Sequence, residues 1–126
     1  MEPTPLPQQR ASSNSRTWCV LCHASALCGF FLPAVGHIIG PLLIWLLKRD
    51  ELPEIDEHGK ESLNFQISLF IYAAAIVASC FVLIGLLLLP FLAVLHLANV
   101  VLVVIASIKA SEGRLYRYPL TIRLIK

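Results

Sequence analysis

Residues 62 to 108 read SLNFQISLFIYAAAIVASCFVLIGLLLLPFLAVLHLANVVLVVIASI, 47 consecutive positions without Asp, Glu, Lys or Arg. A water-soluble fold puts charge on its surface helices, and an apolar run beyond about 18 residues reads as membrane-spanning. As one helix this run would measure roughly 70 Å, more than twice a hydrocarbon core of about 30 Å. It must double back. Gly85 and Pro90 bracket Leu86 to Leu89. Proline removes a backbone donor and collides with the preceding turn. The reversal is therefore placed there, between passes at 62–84 and 90–109.

On the N-terminal side, Thr17 to Leu47 is also free of charge for 31 positions. That is about 46 Å of helix, too long for one upright pass and short for two. Pro33, Gly36, Gly40 and Pro41 cluster at its middle, so it is either one kinked, tilted helix or a hairpin of two short helices, 17–32 and 35–47. Charge decides, because Lys and Arg beside membrane segments are retained in the cytoplasm. Of the ten, two lie in the N-terminal tail, three in residues 48–61 and five after Ile108. Two crossings leave all ten on one side, whereas one crossing puts eight of the ten on the wrong face. The expectation is an all-α membrane protein: a four-helix transmembrane bundle of two helical hairpins, the first with short helices. It would sit in the cell (inner) membrane as a multi-pass protein with both termini cytoplasmic.

Over the whole chain 57% of residues are hydrophobic and 14% charged, against roughly 25% charged in soluble domains. This excludes a soluble enzyme, a nucleic-acid-binding module and a disulfide-stapled secreted domain. Residues 1–16, MEPTPLPQQRASSNSR, are too polar to offset the entropy of ordering and read as a disordered tail. A cleaved signal peptide is the rival reading, since Arg10 and Arg16 precede the apolar run Trp18 to Leu32, with Ala34 and Gly36 as small residues at a cleavage site. Gly113 supplies a helix stop. Residues 110–126 mix Arg114, Arg117, Arg123 and Lys126 with Tyr116, Tyr118, Leu120 and Ile122. Tyr favours the headgroup level and Lys and Arg favour anionic lipid, so the expected partner of this basic tail is the cytoplasmic leaflet. Pro119 keeps it from forming one continuous helix.

In order, the landmarks are Trp18, Leu21-Cys22-His23, Gly29-Phe30-Phe31, Ile39-Gly40-Pro41, the run Asp56-Glu57-His58-Gly59-Lys60-Glu61-Ser62-Leu63-Asn64-Phe65-Gln66-Ile67-Ser68, and Tyr116 to Arg123. Over residues 17 to 126 this series resembles small bacterial membrane proteins of a domain-of-unknown-function family, related to the central protein import component of the chloroplast inner envelope (Tic-twenty-like). The resemblance implies a four-helix membrane protein distantly linked to a translocon, with no known enzymatic reaction.

The polar run from Asp56 is the first candidate site. Pro53 can open a helix there, with Glu54, Asp56 and Glu57 in its first turn. Asp56, Lys60, Asn64 and Ser68 share one stripe, and Gln66 stands apart from it. Lys60 can snorkel; Asn64 and Gln66 cannot, so they are expected to bond loop carbonyls or the first hairpin. His58, Gly59, Lys60, Glu61, Asn64 and Gln66 are the candidate functional or interaction residues. The alternative is that the run merely sets helix depth. In the last pass His96 and Asn99 share a face, with Ser107 returning to it, and should point into the bundle as an interhelical clamp or a polar path.

Small residues four apart, Cys22 and Ala26, Ser25 and Gly29, Gly36 and Gly40, are expected to pack helices closely, against this chain, a second copy or another membrane protein. Cys19, Cys22 and His23 match a Cys-x-x-Cys-His haem-attachment pattern. A redox, haem or metal carrier is thus the alternative function, against plain helix packing of buried thiols; no cofactor is expected on the leading reading. With no Gly-x-Ser-x-Gly, no His-Glu-x-x-His and no paired intramembrane carboxylates, no enzyme is expected. The leading function is assembly of, or substrate passage through, a membrane complex.

Overall fold

Leu52 is extended (φ −131°, ψ 98°), and Pro53 follows it as the first residue of a helix that runs unbroken to Ser79. Proline fits there because a first-turn N–H has no intrahelical partner, and Glu54 and Asp56 meet the positive end of the helix dipole. The computed structural model describes residues 13–32, 35–82 and 84–126. The described residues form α1 (Ser13–Ala24), α2 (Gly36–Lys48), α3 (Pro53–Ser79) and α4 (Ile84–Ser111), with no strand. A 3-10 stretch, Ser25–Phe30, prolongs α1, another, Cys80–Val82, joins α3 to α4, and residues 112–126 carry no helix.

Helix α1 packs on both α3 and α4, α2 packs on α3 and on the 3-10 extension of α1, and α3 packs on α4. Two apolar clusters form the core. One joins Ala26, Phe65, Val103, Ala106 and Tyr118; the other joins Cys19, Cys22, Ile55 and Ala110, with Trp18 and Trp45 against it. Both lie where α1, the first half of α3 and the second half of α4 meet. The opposite end is open: Phe81 is 90% exposed and Leu87 80%. An apolar surface of that extent in a chain so poor in charge belongs in lipid.

Two helical stretches, Pro53–Val82 and Gly85–Ser111, are long and apolar enough to cross a membrane. The 13-residue α2 is apolar but shorter, about 20 Å against a core of about 30 Å. Residues 48–61 are mostly helix, the true connection being residues 49–52.

The structure corrects further expectations. Residues 13–16, expected in the disordered tail, form the first turn of α1; residues 1–12, Pro33 and the cleavage candidate Ala34 lie outside the described residues. The reversal in the long apolar run begins at Cys80–Val82, not between Gly85 and Pro90, and α4 passes straight through Pro90. Steric room decides this. A Cβ on Gly85 would collide with the backbone of Ser79 and Cys80, so this glycine lets α4 start directly against the end of α3. Finally, Tyr118, placed at headgroup level from the sequence, is 2% exposed and fastens one side of the basic tail to the protein, while Leu120 and Leu124 of the same tail are 85% and 59% exposed.

Candidate functional site

The first half of α3 buries ten of the fourteen residues from Ile55 to Ser68, among them Glu61 and the polar His58, Ser62, Asn64, Gln66 and Ser68. Buried polar groups need partners, and the C-terminal tail supplies most of them. Asn64 Nδ2 donates to the Ile125 carbonyl at 2.8 Å and its Oδ1 accepts from the Ile125 N–H at 2.8 Å. The side-chain amide thus treats the tail as a neighbouring strand would. Ser68 Oγ accepts from the Ile122 N–H at 2.7 Å, and Tyr72 Oη donates to the Leu120 carbonyl at 2.6 Å. Glu61, 2% exposed, accepts from the Tyr118 N–H at 2.8 Å, from Arg123 at 2.9 Å and from Arg117 at 3.2 Å. Two guanidinium groups therefore balance a carboxylate that would otherwise be costly to bury.

Tyr118 closes this latch. Its ring stacks on Phe65, centroids 4.0 Å apart, and its hydroxyl lies 2.9 Å from His23 Nδ1. Burial first, and then the facing Glu61 carboxylate, hold that hydroxyl above its ordinary range. It keeps its proton and can donate to His23. His23 Nε2 is 3.0 Å from His58 Nδ1, a contact that requires one nitrogen to carry hydrogen and the other to lack it. Tyr118, His23 and His58 thus form a buried hydrogen-bonded row joining the tail, α1 and α3. Lys60 pairs with Asp56, which also accepts from Trp45 Nε1 at 3.0 Å. Gly59 leaves the space the Trp45 ring needs: a Cβ there would meet it at 2.5 Å.

A second polar group sits further along the helices. Gln66 Nε2 donates to Asn99 Oδ1 at 2.8 Å, and Asn99 Nδ2 is 3.4 Å from His37 Nδ1. His37 Nδ1 is only 2.6 Å from the Ala26 carbonyl, which can only accept. Nδ1 therefore carries hydrogen and donates to it. His96 contributes no hydrogen bond to this group; its ring meets the edges of Phe30 and His37, centroids 5.1 and 6.2 Å away.

The structure thus splits the candidate residues in two. His58, Glu61 and Asn64 join the tail latch, Lys60 and Gly59 its α2 flank, and Gln66 and Asn99 the interhelical group, whereas His96, expected to point into the bundle, is exposed and only touches the rings of Phe30 and His37. The bonds expected from Asn64 to loop carbonyls or the first hairpin do not form, because the tail lies over it. Among the small residues, Cys22, Ala26 and Gly29 are buried on α1 and its extension. A Cβ on Gly36 would meet the Cys28 carbonyl at 2.8 Å, one on Gly40 the Ser25 backbone, and one on Gly29 the His37 ring. Backbones of the first hairpin therefore touch directly. Both nitrogens of His23 are engaged by Tyr118 and His58, and among the described residues no cluster of three or more His, Cys, Asp or Glu is placed to hold a metal.

The polar latch, the short first hairpin and the two long apolar helices occupy residues 13 to 126, and the profile of the magnetosome magnetite crystal formation protein family (MamF/MmsF) matches residues 14–125. The chain belongs to that family. This overturns the resemblance to the chloroplast import component. The residues that carried the resemblance, His58 to Ser68 and Tyr116 to Arg123, fasten the tail to α3. That task describes how the chain closes on itself and specifies no translocon. No curated protein and no solved structure matches the chain.

Sequence reasoning missed His37, Tyr118, Arg117 and Arg123 as members of these groups. A signal for the arginines was present: Glu61 opens a long uncharged run and needs a cation, and half of the ten Lys and Arg residues follow Ile108. For His37 there was none, because its acceptor, the Ala26 carbonyl, lies on the 3-10 extension of α1 and its neighbour Asn99 on α4.

Proposed function

We propose that this protein acts in magnetite crystal formation from within the magnetosome membrane, by assembly there, and not as an enzyme or as a direct ligand of mineral ions. Four membrane segments enter the bilayer. The first hairpin spans a locally thinned region, and both termini, the 49–52 connection and the basic tail face the cytoplasm. One observation carries this reading: among the described residues the charges gather at a single end. Ser15 bonds Glu54, Lys48 lies 4.8 Å from the centre of the Trp18 ring, and Glu61 takes Arg117 and Arg123. These contacts support putting the charged stretches on one side of the membrane, and the larger positive count supports taking that side as the cytoplasm. The opposite turn, Cys80–Val82, has no carboxylate to offer a mineral surface. On the cytoplasmic end, Arg114, Arg117 and Lys126 remain exposed and can meet anionic headgroups, each gaining about 1 kcal/mol.

The test is accessibility of single cysteines at Phe31, Leu87 and Ser111 in a cysteine-free background, in magnetosomes whose crystals are measured in parallel. Reaction from the lumen at the first two and from the cytoplasm at Ser111, together with restored crystal size in a strain lacking the gene, is the expected result. Lumenal reaction at Ser111 would overturn the orientation and turn Asp50, Glu51 and Glu57 toward the crystal, favouring direct ion binding.

A further inference from the structure

Between α3 and α4 lies a cavity of about 390 Å³, within the range of about 300 to 1,000 Å³ that small-molecule sites occupy. Its walls are apolar, Phe70 and Ala74 among them, and it also touches His37, Gln66, His96 and Asn99. No Asp, Glu, Lys or Arg among the described residues lines it. We propose that it binds a membrane-dissolved molecule with a small, neutral, hydrogen-bond-accepting head on an apolar body, the chemistry of an isoprenoid quinone.

Three observations converge on that class. First, donors are left over. His37 Nδ1 is committed to the Ala26 carbonyl, so it cannot accept from Asn99, whose Nδ2 hydrogens remain available at the cavity. His96 lines the same space with ring contacts alone, and an imidazole N–H without an acceptor is costly in hydrocarbon. Second, the lining is uncharged. A phospholipid head would need cations for its phosphate, and the Lys and Arg side chains among the described residues are at the far charged end. Third, the depth is wrong for a headgroup. His96 lies near the middle of α4 (Ile84–Ser111), where only a molecule whose polar part is small and neutral resides at low cost. A quinone carbonyl there would accept from His96 or Asn99, with its ring against Phe70 and its chain leaving past Ala74.

The experiment uses the full-length protein in nanodiscs of phosphatidylethanolamine and phosphatidylglycerol. Decylubiquinone is the probe, decylbenzene the matched apolar control, and native mass spectrometry the readout. The expected result is one decylubiquinone per chain and no comparable retention of decylbenzene. His96→Leu should weaken binding about tenfold, the worth of one hydrogen bond made away from water, and His96→Gln, which keeps a donor, should recover most of it. Ala74→Trp, which fills the cavity from an exposed position, should abolish binding. Equal retention of the two probes would overturn the proposal and leave a crevice for lipid chains. So would full binding by Ala74→Trp, or crosslinks from a photoreactive residue at position 74 that join two copies of the chain and exclude the probe. None of these outcomes bears on which face of the membrane holds the termini, so the site and the proposed orientation fail separately.

Discussion

The two halves of α3 are built on opposite plans. From Ile55 to Ser68 the helix buries His58, Glu61, Ser62, Asn64, Gln66 and Ser68; after Ser68 none of its residues is buried, and Phe70 and Val77 are about half exposed. A soluble amphipathic helix turns its polar side outward to water. Here polarity is drawn inward wherever the chain itself supplies partners, and the remainder is surrendered to lipid. The contrast teaches where stability resides: in specific bonds between α3 and the tail at one end, and in dispersion against acyl chains at the other.

The largest break in that contrast should come from Tyr118→Ala. Removing a ring that is stacked on Phe65 and bonded to His23 is expected to cost about 3 to 5 kcal/mol, seen as a lower detergent unfolding midpoint and as rapid cleavage of the tail by protease. A tail that stays protected would mean that the polar bonds alone hold it. Asn64→Leu leaves the N–H and carbonyl of Ile125 without partners. It should cost about 1 to 3 kcal/mol and speed hydrogen exchange at the Ile125 amide above all others. Glu61→Gln gives up the ionic part of two arginine contacts. Because Arg117 and Arg123 are 63% and 42% exposed, solvent screens them, and a loss of about 1 kcal/mol is expected, smaller still at high salt.

Alkali offers a finer probe. Tyr118 resists ionisation in the fold, whereas in the unfolded chain it titrates near its ordinary value of 10.0. Above that pH the unfolded state releases a proton the folded state keeps, so stability is intact below pH 10 and falls beyond it by about 1.4 kcal/mol per unit. Tyr118→Phe should remove that part of the slope; an unchanged slope would point to other groups. At the other end of the contrast, Phe81→Ala, at a side chain 90% exposed, should move the unfolding midpoint by no more than the equivalent of about 0.5 kcal/mol. A larger loss would show that the apolar end is packed against something, most simply another copy.

Much of this was legible in the sequence. Pro53 with Glu54 and Asp56 announces the start of α3, the two charge-free runs announce the membrane, and Asn64, Gln66 and Asn99 stand out because amides inside apolar runs demand partners. Which partners they take was not legible. Asn64 is 61 residues from Ile125 and Gln66 is 33 from Asn99, separations over which spacing carries no information about contact. The reversal was misplaced for a similar reason. Pro90 is a local breaker, but interior prolines are tolerated in membrane helices when neighbouring groups take up the freed carbonyl. The close approach of Gly85 to Ser79 and Cys80 exists only once α3 and α4 are antiparallel.

The order of residues by itself determined the solvent and the helical class, because both follow from local quantities: transfer free energy summed over a run, and the backbone preferences of Pro and Gly. Only the tertiary arrangement decided that the basic tail is a clasp on α3, that His23 belongs with Tyr118 and His58, and that His37 meets Asn99 beside a cavity. Those pairings depend on how four helices and a tail fill space together, a constraint that is global and has no signature in any short window of the chain.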